Sequence, residues 1–141
     1  MMSWMSQTAL SASRCTDAVV LCVDDDYVIL HLLKITLEKN GFTVLTATNW
    51  CRALDAFTES PIDLVMLDYE MPDMKGHEVA IQIRSVNPGV PIILHSGSSD
   101  IPEIATKVTD AFIPKGVEPY VLVAAISNLI MKRRVSRLQA E

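Results

Sequence analysis

Ile62-Asp63-Leu64-Val65-Met66-Leu67-Asp68 is the segment on which the fold turns. Its apolar residues run on without the alternation of a half-exposed strand, so a strand here is covered on both faces, as in a parallel sheet. Asp68 closes the run, and Tyr69-Glu70-Met71-Pro72 follows it. A second apolar run, Val19-Val20-Leu21-Cys22-Val23, closes on Asp24-Asp25-Asp26. If the two strands are parallel neighbours, their carboxylates meet at one sheet edge. Negative charges held that closely need a cation.

Outward from these runs, strand-like stretches alternate with amphipathic ones. The first strand is Val19–Val23. A helix fits Tyr27–Lys39, with apolar residues at Val28, Ile29, Leu32, Leu33, Ile35 and Leu37. Asn40-Gly41 reads as its stop. A second strand fits Thr43–Ala47. Thr48 or Asn49 caps a helix running to Glu59 that carries Ala53, Leu54 and Phe57 inward. Pro61 opens the next turn, and the third strand is Ile62–Leu67. Pro72 to Gly76 form a loop, His77–Ser85 a helix, and Asn87-Pro88-Gly89 a turn. Ile92–His95 is the fourth strand, followed by the polar loop Ser96-Gly97-Ser98-Ser99-Asp100. A short helix lies near Pro102–Lys107 and a brief fifth strand at Ala111–Ile113. Glu118-Pro119 opens a last helix to Arg134, with proline where its missing N–H is tolerated.

Five βα units imply an α/β fold: a doubly wound parallel sheet with right-handed crossovers and helices on both faces, three layers deep. Sites in such folds lie outside the carboxyl ends of the strands. Asp24, Asp25, Asp68, Ser96 and Lys115 each follow a predicted strand directly or within two residues, so they converge on one edge.

The chain has 141 residues, half of them hydrophobic, which suits one domain with a sizeable core. Its formal net charge of -5 disfavours a general nucleic-acid coat. Cys15, Cys22 and Cys51 form no Cys-x-x-Cys pair and read as free thiols in a reducing cytoplasm. No apolar stretch approaches membrane-spanning length. Residues 1–17 lack a basic start followed by an apolar block, and are expected to be a disordered extension rather than a secretory signal. Residues 18–131 form the domain, and 132–141 a basic helix end or tail.

Together these residues resemble the receiver domain of two-component response regulators, over roughly residues 18–131. The resemblance rests on Asp24-Asp25 after strand one, Asp68 after strand three, and Pro72 and Gly76 four and eight residues beyond it. Ser96 after strand four and Lys115 after strand five complete it. It implies a flavodoxin-like fold and a stand-alone phosphoacceptor unit that catalyses only its own phosphorylation and hydrolysis. By the resemblance, Asp68 attacks the phosphorus of a phosphohistidine on a histidine kinase or phosphotransfer protein. Asp24, Asp25, Asp68 and the main-chain carbonyl of Glu70 would hold Mg²⁺, a hard cation that takes oxygen ligands. Lys115 would pair with Asp68 and then with its phosphate. Ser96 would bond a phosphoryl oxygen, and Phe112 takes the place of the family's rotameric switch aromatic.

The chain also departs from the pattern. Gly116 stands where the family usually has proline, and Pro114 precedes Lys115 instead. The Ser96–Lys115 interval is short by roughly one helical turn, which trims the fourth helix. Glu70 puts a carboxylate beside the path of attacking water, where it is expected to alter acyl-phosphate lifetime. His31, His77 and His95 have no metal-ligand spacing, and His95 is expected to be a strand-end residue with a satisfied ring. Two other readings stay open: a degenerate receiver used only for binding, and a phosphatase of the aspartyl-phosphate type. The latter place their nucleophile after the first strand. The run Lys132-Arg133-Arg134 with Arg137 is a thin footprint for nucleic acid. The last helix is apolar almost all round, which suggests a homodimer or target surface on the fourth/fifth-helix face.

Overall fold

A computed structural model describes residues 17–140. The elements alternate as β1 (Val19–Val23), α1 (Tyr27–Lys39), β2 (Thr43–Ala47), α2 (Trp50–Glu59), β3 (Leu64–Asp68) and α3 (Gly76–Val86). They continue as β4 (Ile92–Ser96), α4 (Glu103–Lys107), β5 (Ala111–Pro114) and α5 (Pro119–Ala140). All strand pairings are parallel, in the order β2-β1-β3-β4-β5. The chain steps from β1 outward to β2 and then back across to β3. The crevice where the winding reverses therefore opens above β1 and β3.

Every residue of β3 is buried. Val65 and Leu67 face a core shared with Ala53 and Phe57 of α2, Val79 and Ile83 of α3, and Ala105 of α4. Leu64 and Met66 face the opposite core, with Leu33 and Leu37 of α1 and Leu122, Ile126 and Ile130 of α5. The unbroken apolar run thus has a helix layer on each side, as its sequence requires.

Local chemistry sets the helix ends. Asp26 caps α1 by accepting a hydrogen bond from Val28 N at 2.9 Å, and Asn49 caps α2 through Arg52 N at 2.9 Å. Gly41 ends the α1 turn at φ +91°, a backbone state that glycine adopts without Cβ strain.

Several boundaries differ from the sequence reading. β3 begins at Leu64, because Asp63 pairs with the start of β1: its N–H donates to Val19 O at 2.8 Å and its carboxylate accepts from Val19 N at 2.7 Å. β3 includes Asp68, and β4 and β5 extend to the paired residues Ser96 and Pro114. In α1, burial falls on Leu30, Leu33 and Leu37, whereas Val28, Leu32 and Ile35 are exposed. Leu54 is only half-buried. The last helix runs past Arg134 to Ala140, so Arg137 joins Lys132 and Arg133 within α5, and the basic run is a helix end and not a tail after it. Residues 1–16, with Trp4 and Cys15, lie outside the described residues. Cys22 is buried and Cys51 exposed, both free. Burial, then the charge of Asp24, pushes the Cys22 thiol up to about 12, so it packs as a small hydrophobe.

Candidate functional site

Asp68 ends β3, and Asp24 follows β1, its parallel neighbour. The pairing therefore sets their carboxylates side by side. Both residues are almost fully buried, at 5 % and 1 % exposure. Asp25 is exposed at the rim. One carboxylate oxygen from each of the three lies within 4.8 Å of the others. Backbone groups steady two of them: Asp26 N donates to Asp24 Oδ1 at 2.9 Å, and Glu70 N to Asp68 Oδ1 at 3.3 Å.

Lys115 reaches in from the end of β5. Its Nζ stands 2.9 Å from Asp24 Oδ2 and 3.3 Å from Asp68 Oδ1. Its backbone N–H donates to Ser96 O at 2.8 Å, and Gly116 at φ +92° makes the turn that follows. Ser96 is buried, and its Oγ accepts from Ser98 N at 3.1 Å. These residues surround a cleft of about 780 Å³ that Asp26, Tyr27, Glu70 and Ser98 also line. Phe112 is not among the lining residues. It sits half-buried in β5, packed against the core that Val65 and Leu67 share.

The electrostatics follow from the packing. Burial first, and then the neighbouring charge of Asp24, raise the Asp68 carboxyl to about 6 against the pull of Lys115 and the Glu70 N–H. Burial alone would lower Lys115, but its contacts with Asp24 and Asp68 outweigh it and raise the ammonium's pKa. Asp24 Oδ2 is buried and meets no donor at a hydrogen-bonding angle, although Nζ of Lys115 stands 2.9 Å away. A buried carboxylate oxygen left so, beside two further carboxylates, fits a small hard cation with oxygen ligands.

Asp24, Asp25, Asp68, Glu70, Ser96 and Lys115 thus gather around one cleft, as their positions after the strands predict. His95 does not join them. It is buried, and with Ile29, Leu32, Leu33 and Leu122 it lines a separate cavity of about 320 Å³ between α1 and the start of α5. Burial, then the positive charge of Lys115, lowers its pKa to about 4, so it is neutral. His31 is exposed, and His77 stacks on Tyr69 at 5.8 Å between ring centroids.

One structural support of the cleft, and one brace at the amino ends of β4 and β5, escape the sequence reading. A Cβ on Gly76 would lie 2.8 Å from both Asp68 O and Tyr69 Cα, so only glycine lets α3 start this close to the site. Gly76 N donates to Tyr69 O at 2.8 Å. The interval from Asp68 to Gly76 was the signal, but as a loop residue its packing could not be read. Arg84 spends its donors on Val108 O, Pro88 O, Val90 O and Asp110 Oδ2, tying α3 to the turn before β5. Nothing in the sequence marked it.

The model of the response regulator receiver domain family matches residues 20–127. The transcriptional regulatory protein GlrR of Escherichia coli is 31% identical over 116 residues, covering 80% of this chain and 26% of that protein. The transcriptional regulatory protein PrrA of Mycobacterium tuberculosis is 31% identical over 123 residues, 86% of this chain and 53% of PrrA. The chain therefore spans about a quarter to a half of these relatives. A segment of the autoinducer 1 sensor kinase/phosphatase LuxN of Vibrio campbellii is 30% identical over 83% of this chain and 14% of LuxN. Among solved structures, a receiver domain protein from Clostridium thermocellum superposes at a TM-score of 0.79 with 30% identity, over 84% of this chain and 98% of that one. TrrA of Thermotoga maritima, in complex with Mg²⁺-BeF, gives 0.76 and 33%, over 80% and 99%. The matched span runs from the second residue of β1 through β5 and takes in every cleft residue, and this chain belongs to the response regulator receiver domain family.

Proposed function

We propose that Asp68 accepts a phosphoryl group from a phosphohistidine of a sensor histidine kinase or phosphotransfer protein, and that the chain signals through protein contacts. The observation that carries this is the placement of Lys115 Nζ within 3.3 Å of both buried carboxylates, with a carboxylate oxygen of Asp25 within 4.8 Å of one from each of them. An oxygen of Asp68 attacks phosphorus, the P–N bond breaks, and the imidazole nitrogen keeps the electron pair. The product is an acyl phosphate, which water later hydrolyses. Mg²⁺, when bound, neutralises charge on the phosphoryl oxygens. Asp24, Asp25, Asp68 and the main-chain carbonyl of Glu70 would hold it.

Lys115 then pairs with the new phosphate, and the Ser96 hydroxyl donates to one of its oxygens. As Ser96 moves inward, Phe112 turns into the space it leaves and reshapes the α4/α5 face, the surface for a target or a second copy. Similarity to a segment of LuxN, a sensor kinase/phosphatase, supports a kinase-linked partner. Among the described residues no helix is long and apolar enough to cross a membrane, in keeping with a site of action in the cytoplasm, where the kinase's ATP is. Action as a stand-alone regulator is part of the proposal, and the mass of the native product tests it. The chemistry is tested by incubating the chain with acetyl phosphate and Mg²⁺. One phosphoryl group is expected by intact mass, and none on Asp68→Asn. A chain that binds a partner but never takes up phosphate is a degenerate receiver.

A further inference from the structure

We propose that the outer face of α5 is the seam of a parallel two-helix coiled coil between two copies of this chain. Helix α5 carries two apolar rows. Leu122, Ile126 and Ile130 are buried against the sheet. On the opposite side, about 180° round at 3.6 residues per turn, lie Val121, Ala124, Asn128, Met131, Val135 and Leu138. Val121, Val135 and Leu138 are 40 %, 47 % and 72 % exposed, Ala124 and Asn128 are exposed, and Met131 is half-buried. The steps are three, four, three, four and three, which is the 3.5-residue period of a coiled-coil seam. No charged residue interrupts the row, whereas Lys132, Arg133 and Arg137 all fall off it. Scattered exposed apolar residues need no explanation, but an unbroken heptad row does.

The row selects its occupant. Val121, Asn128 and Val135 take the a positions, and Ala124, Met131 and Leu138 the d positions. Two of the three a residues are β-branched valines and one of the three d residues is leucine, which leans toward two parallel strands, and one asparagine at a fixes register. In a parallel pair each a layer meets itself, so the Asn128 amide finds a donor and an acceptor in the Asn128 of the second copy. Antiparallel packing would set Asn128 against Met131, and a thioether cannot satisfy a buried amide. Charges agree with self-pairing: Arg134 faces Gln139 across the seam, and Lys132 faces Ser127, so no like charges meet. The seam is about 26 Å long. A free coiled coil of that length is marginal, but here the first half of each helix, to Ile130, is already seated on its sheet and nucleates the exposed turns that follow.

This deepens the α4/α5-face reading above and is independent of phosphoryl transfer: Asp68→Asn should abolish phosphate uptake and leave the association unchanged. Sedimentation equilibrium of the full chain should give a mass that rises toward the dimer with concentration. Leu138→Asp should return it to monomer with unchanged helix content. In a background with Cys15 and Cys51 changed to serine, Asn128→Cys alone should cross-link to a dimer on mild oxidation. A monomer mass up to about 1 mM chain would overturn the proposal. So would a dimer that Leu138→Asp leaves intact, or cross-linking that needs Asn128→Cys together with Met131→Cys.

Discussion

Lys115 stands closer to Asp24 than to Asp68, 2.9 Å against 3.3 Å. The ammonium thus offsets the charge of both buried carboxylates, the proposed metal ligand as well as the proposed acceptor. On the proposed chemistry a divalent ion held by Asp24 would compete with Lys115 for that carboxylate and leave the ammonium to Asp68. Lys115→Met should therefore bind Mg²⁺ more tightly, by about 3- to 10-fold, since removing a like charge near an effective dielectric of ~20 is worth about 1 kcal/mol after relaxation. Phosphorylation by acetyl phosphate should fall at least about tenfold, because the developing phosphoryl charge loses its partner. Metal titration and intact mass check the two halves separately.

Two buried groups give opposed pH slopes in the metal-free protein. Asp68 is raised to about 6, so the folded state holds its proton more tightly than the unfolded chain does. The stability it contributes is present below about 4 and lost as pH rises through 6. His95 is lowered to about 4, so its contribution is present above about 6.5 and lost as pH falls toward 4. In chelator, the parent should be nearly flat across this window. Asp68→Asn should leave only the histidine slope, falling with acid. His95→Leu should leave only the carboxylate slope, rising with acid. Denaturant midpoints at several pH values decide it, and identical profiles for both variants would refute the assignment.

Asp68→Asn should also stabilise the metal-free chain at neutral pH, by about 1–2 kcal/mol, because it removes a buried charge next to Asp24. Saturating Mg²⁺ should stabilise the parent and leave the variant much less affected. Thermal melts with and without Mg²⁺ measure both.

Gly76→Ala sets two effects against each other. Alanine is about 1 kcal/mol better than glycine inside a helix. Its Cβ, however, would meet Asp68 O and Tyr69 Cα at 2.8 Å, and both are backbone atoms that cannot swing aside. Overpacking of this kind costs about 1–3 kcal/mol. Crowding wins, so the variant should be destabilised and phosphorylated more slowly; a stabilised variant would show that the approach is looser than described.

Glu70 lines the cleft two residues after Asp68. On the proposed chemistry a carboxylate there would repel the phosphoryl oxygens, bond Lys115 or orient attacking water. Glu70→Ala should change the acyl-phosphate lifetime by about 2- to 10-fold with phosphate uptake retained. Equal dephosphorylation rates would remove Glu70 from the mechanism.

The parallel winding and the gathering of strand-end residues at one sheet edge were legible in the sequence because burial on both faces of β3 leaves an unbroken apolar run and βα alternation fixes parallel winding, whereas the adjacency of β1 and β3 that sets Asp24 beside Asp68 was a condition that the structure supplies. Asp24, Asp25, Ser96 and Lys115 could be placed from strand ends alone. What could not be read depends on long-range packing. Val28, Leu32 and Ile35 have the hydrophobicity of core residues but face solvent, since only one stripe of α1 reaches the sheet. His95 and Ser96 are neighbours in β4, yet the pleat turns His95 away from the site. The span of α5 was underestimated because its basic residues resemble a helix end, and nothing after Arg134 breaks a helix.

The proposed chemistry requires Asp68 to accept the phosphoryl group beside a divalent ion. Intact mass after acetyl phosphate treatment tests this most directly, comparing the parent with Mg²⁺, the parent with excess chelator, and Asp68→Asn with Mg²⁺. One added phosphoryl group in the first sample alone is the predicted result. Equal incorporation in all three, or none with Mg²⁺ in a folded parent, would contradict it.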